Sequence, residues 1–157
     1  MKKIILILII LIAGFVVYTK SKDGSLDLGS LGGTTEEGGV SYTSKGKLKD
    51  VSGGTAEGLV QTGFNDEPGL GASGKFDLLA TFEGLKPLAV GENYEGFLLD
   101  ATGRYISTGN LVQTSGMYKN LFTSGEDFRD FPTYIVTVEK NDGNPEPGEK
   151  VLEGTIK

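Results

Sequence analysis

Cysteine, histidine and tryptophan are absent from the 157 residues. Without cysteine there are no disulfides, no thiolate chemistry and no lipid-modified N-terminal cysteine. Without histidine there are no imidazole bases and none of the usual zinc ligands. The familiar hydrolytic triads and zinc enzymes therefore drop out before any motif is sought. Proline is scarce, at 5 residues, and the 25 glycines follow no every-third-residue period, which removes a collagen-like chain. Positive charge is also short: 15 Lys and Arg stand against 21 Asp and Glu. Over residues 51–157 the count is 8 against 16, a balance of −8. Such a surface repels phosphate backbones, and no nucleic-acid partner is expected.

What is present begins with a membrane signal. Met1-Lys2-Lys3 leads into the unbroken apolar run IILILIILIAGFVVY at residues 4–18, followed by Thr19-Lys20-Ser21-Lys22. As a helix this run rises about 23 Å, a little short of the roughly 30 Å hydrocarbon core. Lys20 and Lys22 can snorkel and Tyr18 can sit in the interface, which eases the mismatch. A cleavage site wants small residues at −3 and −1, and Thr19 with Ser21 fits poorly. Residues 1–20 are therefore expected to be an uncleaved transmembrane anchor, with a cleaved signal sequence as the alternative. Lys2 and Lys3 favour an N-terminus held inside and a C-terminal part exported to the extracytoplasmic side.

Residues 21–50 hold 7 glycines, and their apolar residues Leu26, Leu28, Leu31, Val40 and Leu48 are isolated. A chain of this kind cannot bury enough apolar surface to offset its ordering entropy. It reads as a flexible tether with a reach of about 30 Å, the alternative being a short strand near residues 40–43. From residue 51 the pattern changes to short alternating runs between glycine-rich breaks, the all-β signature. Strands are expected over residues 55–64, 75–83, 94–99, 105–111, 117–123, 134–139 and 151–156, with a hairpin turn at Asp100-Ala101-Thr102-Gly103. About seven strands in residues 51–157 suggest an antiparallel, Ig-like β-sandwich.

Several patterns could carry chemistry. Asp142, Asn144 and Glu146 have the every-second-residue spacing of a Ca²⁺ loop, but the surrounding turn formers favour a plain hairpin loop. Glu126, Asp127 and Asp130 surround Phe128 and Phe131; they read as a polar connection pinned by two rings and partly neutralised by Arg129, rather than as an acid–base pair. Gly69-Leu70-Gly71-Ala72-Ser73-Gly74 has the letters of a dinucleotide fingerprint but precedes a strand instead of opening a helix. Tyr94 is expected to pack in the core with its hydroxyl satisfied at the rim. Gly96, inside a strand, marks a bulge or a close backbone approach beneath an aromatic ring. Leu-Val-Gln-Thr occurs at residues 59–62 and 111–114 and reads as chance. No catalytic, cofactor-binding or metal site is assigned.

From residue 79 onward the chain resembles the extracytoplasmic C-terminal domain of anti-sigma-K-type regulators. The matching elements are Gly84-Leu85-Lys86-Pro87-Leu88, Tyr94-Glu95-Gly96-Phe97-Leu98, Ser107-Thr108-Gly109, Val136-Thr137-Val138-Glu139 and Val151-Leu152-Glu153-Gly154. The resemblance implies a β-sandwich at an exported location. The family commonly has Trp where Phe97 stands, and its sigma-binding domain precedes the membrane helix, where this sequence has only Met1, Lys2 and Lys3. The expectation is a non-enzymatic interaction or sensing module at the cell envelope, with an envelope protein as partner. A structural subunit of a surface assembly is the alternative.

Overall fold

Phe76, Leu78, Ala80 and Phe82 alternate with Asp77, Leu79, Thr81 and Glu83, a period of two that buries one face of a strand. The same alternation recurs along the chain and builds the domain. The computed structural model describes residues 35–37, 40–65, 74–140, 142, 144 and 146–157. The strands are β1 (Thr35–Glu37), β2 (Val40–Tyr42), β3 (Ser44–Asp50), β4 (Glu57–Asn65), β5 (Lys75–Glu83) and β6 (Glu92–Leu99). They continue with β7 (Tyr105–Asn110), β8 (Val112–Thr114), β9 (Met117–Ser124), β10 (Thr133–Lys140) and β11 (Glu149–Thr155). The described residues contain no helix, and the expected anchor at residues 1–20 lies outside them.

All seven strands expected from the alternation are present, so the all-β class holds. Two features differ from expectation. First, strands reach back into the expected tether: β1, β2 and β3 occupy residues assigned to the 21–50 linker, β2 within the alternative strand near residues 40–43, and Leu48 is 1% exposed. Residues 21–34, 38 and 39 of that linker lie outside the described residues. Secondly, the seven expected strands do not divide into two facing sheets. Nine strands form one antiparallel sheet in the order β7-β6-β10-β11-β3-β4-β5-β9-β8, while β1 and β2 pair as a hairpin. The sheet curls until it is nearly closed, and its concave face holds the core.

β3 is the reason for the single sheet. It pairs with β4 from Ser44↔Thr62 to Lys49↔Glu57 and with β11 at Leu152↔Asp50 and Glu153↔Lys49. Beyond that short register the joint continues through Val51 N–H to Val151 O (2.9 Å) and a reciprocal pair between Lys45 and Lys157 (2.9 and 3.0 Å). The backbones are so close here that a Cβ on Gly154 would strike the Lys47 carbonyl, and one on Gly46 the Thr155 carbonyl.

The opposite closure, between β7 and β9, has another chemistry. Asn120 of β9 is 2% exposed and points inward. Its amide Nδ2 donates to the carbonyls of Thr108 (3.1 Å) and Gly109 (3.0 Å) on β7. Its Oδ1 accepts from the Tyr134 hydroxyl at 3.0 Å. One side chain thus replaces two ladder bonds. The Tyr134 hydroxyl passes over Gly96, where a Cβ would collide with that oxygen and with Thr108 Oγ1. The β6–β7 register shifts between Gly96 and Phe97, and Gly109 takes φ +88°. The bulge and close approach expected at Gly96 are therefore both present, under Tyr134. Burial raises the Tyr134 phenol above its ordinary value, which keeps it neutral and donating.

Inside the sheet Leu48, Val60, Leu78, Leu98, Val136 and Leu152 pack with Phe76, Phe82 and Tyr134. At the Phe76 end the connection after β9 turns inward. Phe128 meets Phe76 edge-on (5.6 Å between centroids) and Phe131 (5.3 Å), plugging that end. The two Leu-Val-Gln-Thr segments have unlike surroundings: Val60 is fully buried and Val112 is 63% exposed.

Candidate functional site

At the end opposite the phenylalanine plug, the sheet opens into a cleft of about 510 Å³. Its walls come from three places. Tyr94 enters from β6 and Tyr118 from β9, their rings edge-on with centroids 5.4 Å apart. Leu85, Pro87 and Leu88 descend from the β5–β6 connection, and Leu111 closes the floor between β7 and β8. The loop is held down from within: the Tyr94 hydroxyl donates to the Lys86 carbonyl at 2.9 Å, and Ala89 N–H donates to Glu92 Oε2 at 3.1 Å. Tyr94 is thus buried with its hydroxyl satisfied at the rim, and burial, with Tyr118 beside it, raises its phenol above the ordinary value. Glu92, Asn93 and Gln113 supply polar atoms at the edge. An apolar, aromatic-walled concavity with a few polar groups at its lip suits reversible binding of a small or extended ligand.

A second cleft of about 390 Å³ lies on the outer face of β6, β7 and β10. Phe97 is 3% exposed there although it points away from the core, and it packs edge-on against Tyr105. Glu95 and Glu139 both line this cleft. Ser107 Oγ donates to Glu95 and Thr137 Oγ1 to Glu139, while Gly148 N–H donates to Glu139 Oε1 at 2.7 Å. These two carboxylates were not among the candidates in the sequence. They become neighbours only through the β6–β10 register, which sets Glu95 opposite Thr137.

The carboxylates that the sequence did single out are engaged in local turns. Asp142 Oδ1 accepts from Asn144 N–H (2.9 Å) and Asn144 Oδ1 from Glu146 N–H (3.2 Å), so two side chains of the possible Ca²⁺ loop cap their own backbone. Among the described residues no group of three or more acidic side chains is arranged to hold a metal. Asp127 forms a fork with the Arg129 guanidinium, with Nε 2.9 Å from both oxygens, which holds its carboxyl below the usual range. The Arg129 guanidinium in turn lies 4.6 Å from the Phe64 ring centroid. With Phe128 and Phe131 buried, this segment is a pinned connection. Residues 66–73, with most of the glycine fingerprint, lie outside the described residues.

The loops share a simpler device. Asp50 Oδ1 accepts from the N–H groups of Ser52 and Gly54, both at 2.8 Å, and Asp100 Oδ1 from those of Thr102 (2.8 Å) and Arg104 (3.0 Å). Each aspartate follows the last strand residue or ends the strand and folds the turn onto itself.

No protein-family model matches the chain, and no curated protein or solved structure shows significant similarity to it. The geometry defines an all-β domain with a nearly closed sheet, a plugged end and an aromatic cleft at the other.

Proposed function

We propose that the chain is a membrane-tethered, extracytoplasmic binding module that works at the cell envelope without catalysing a reaction. The observation that carries this reading is the fifteen-residue apolar run at residues 4–18, flanked by lysines, ahead of a β domain. The Tyr94–Tyr118 cleft gives that domain a place to hold a partner. An exported location and a role akin to those of the anti-sigma-K C-terminal domains draw on the resemblance in residues 79–157.

Protease treatment of intact spheroplasts and the intact mass of the membrane-bound protein test this together. Digestion of the domain from outside, with a full-length mass in the membrane fraction, is the expected result. Recovery in the soluble cytoplasmic fraction overturns the reading. A second reading, a structural subunit of a surface assembly, draws on the exposed Val112 of edge strand β8 and Leu121 of its neighbour β9; filaments in the membrane fraction would support it.

A further inference from the structure

β7 and β8 are one line of chain that changes partner at Leu111. β7 pairs with β6, a ladder that Leu111 extends by donating its N–H to the Tyr94 carbonyl at 2.8 Å. β8 then leaves β6 and pairs with β9 alone. The Tyr94–Tyr118 cleft lies where they part, with Gln113 of β8 on one wall and Glu92 and Asn93 of β6 on the other. Ser115 and Gly116 both take positive φ, 52° and 86°, as a type I′ hairpin turn requires, and Thr114 pairs with Met117 across it. The turn bonds Thr114 to Met117, and antiparallel pairs alternate between bonded and non-bonded. The next pair, Gln113 and Tyr118, is therefore non-bonded, so the Gln113 N–H and C=O point away from β9 toward the open edge. Among the described residues no backbone group bonds to them. The neighbouring edges are already engaged: Asn120 takes the Thr108 and Gly109 carbonyls of β7, and Glu92 N–H of β6 donates to the Ala89 carbonyl at 3.1 Å. β8 itself carries neither charge nor proline, the residues that usually discourage edge pairing.

We propose that an extended peptide segment of a protein partner adds antiparallel to the free edge of β8 and sets an apolar side chain in the Tyr94–Tyr118 cleft. The inference rests on the binding-module reading, since it takes that cleft as the partner site. An unpaired N–H and C=O on one residue are the complement of another strand's backbone, and in antiparallel pairing a single partner residue takes both bonds. That residue, opposite Gln113, has its side chain on the face that Gln113 shares with Tyr118. It therefore enters the concave side, where Leu85, Leu88 and Leu111 line the cleft with the two rings. The residues before and after it point to the outer surface, beside Val112, which is 63% exposed. Main-chain bonds thus accept any extended segment, and the cleft selects one with an apolar residue at the matching position. The three residues of β8 keep the paired length short.

The test screens the full-length chain in detergent micelles against a positional library of capped hexapeptides. An apolar or aromatic residue should be enriched at one position, and N-methylation of that residue's amide in the selected peptide should weaken binding about fivefold or more. Gln113→Ala keeps the backbone and should bind the peptide as the parent does. Gln113→Pro removes the N–H at an edge position where proline is tolerated; it should unfold like the parent and bind about fivefold more weakly or worse. The N-methylated peptide asks the same question of the unaltered chain. Tyr118→Ala, which takes away one wall of the cleft, should relax the apolar preference. Binding that is lost in Tyr118→Ala but indifferent to N-methylation and to Gln113→Pro overturns strand addition and leaves the cleft as the partner site. A peptide indifferent to all three changes binds elsewhere and overturns both, as does a library with no enriched member. Dimerisation of the unliganded chain that Gln113→Pro abolishes assigns the edge to a second copy and overturns the peptide partner.

Discussion

The sheet is brought round on itself at two places with different chemistry. At β3–β11 the backbones meet directly, through ladder bonds and a glycine on each strand that allows the close approach. At β7–β9 they are bridged by one buried side chain, Asn120, bonded to two carbonyls of β7 and to Tyr134. A backbone joint shares its load over several equivalent bonds, whereas a side-chain bridge concentrates it on one residue whose loss leaves several buried groups unpaired. The first joint is thus governed by space and the second by hydrogen-bond accounting.

Three perturbations separate the two. The largest effect is expected from Asn120→Leu, which keeps the volume but leaves two carbonyls and the Tyr134 hydroxyl without their partner. At about 1–3 kcal/mol for each unsatisfied buried group, reduced by relaxation, the cost is about 3–4 kcal/mol in denaturant unfolding. Native-state hydrogen exchange should accelerate in β7 and β9 before β3 and β11; uniform acceleration would show that the bridge is not a separate closure. Next, Gly154→Ala drives a methyl group into the Lys47 carbonyl, which cannot yield as a side chain would. It should cost about 2 kcal/mol, the range for overpacking, with exchange rising at β3–β11 and little change at β7–β9.

The smallest effect is expected from acid. Asp50, next to the β3–β11 joint, has its carboxyl lowered from 3.8 to about 2, chiefly by the Gly54 N–H, with Ser52 and Ala56 adding to it. The unfolded chain therefore takes up this proton at higher pH than the folded one. The stabilisation is present above about pH 4 and is lost as pH falls toward 2. Denaturation midpoints across that window should drop less steeply for Asp50→Asn than for the parent. Equal slopes would show that the Asp50 turn does not support the joint.

These two closures also explain how much of the molecule was legible in the sequence. Among the seven expected strands the clearest announce themselves by alternation, as Phe76, Leu78, Ala80 and Phe82 do against Asp77, Thr81 and Glu83 in β5. β3 does not: its inward positions include Gly46 and Leu48, so a single apolar residue stands among lysines and reads as linker. With β3 overlooked, a count of about seven strands suggests a two-sheet sandwich, whereas β3 joins β4 to β11 in one sheet. β8 is three exposed residues and carries no burial signal. Of the candidate cleft, Tyr94 was legible because a tyrosine at a strand's end needs a hydroxyl partner. Tyr118 and the Leu85 loop join it only through the curl of the sheet. Asn120 left one readable trace, a polar residue in the inward series Tyr118, Asn120, Phe122, where an apolar side chain would be the ordinary choice.

β3 has a mechanical consequence as well. It lies in the interior of the sheet, bonded to β4 on one side and β11 on the other. A force applied to Ser44 along the strand axis would load both ladders at once instead of peeling them bond by bond as at a sheet edge. Lys157, the last residue, is bonded to Lys45 at the start of that strand. The N-terminal end of β3 and the last residue of the described domain therefore meet in the interior of the sheet and not at a free edge.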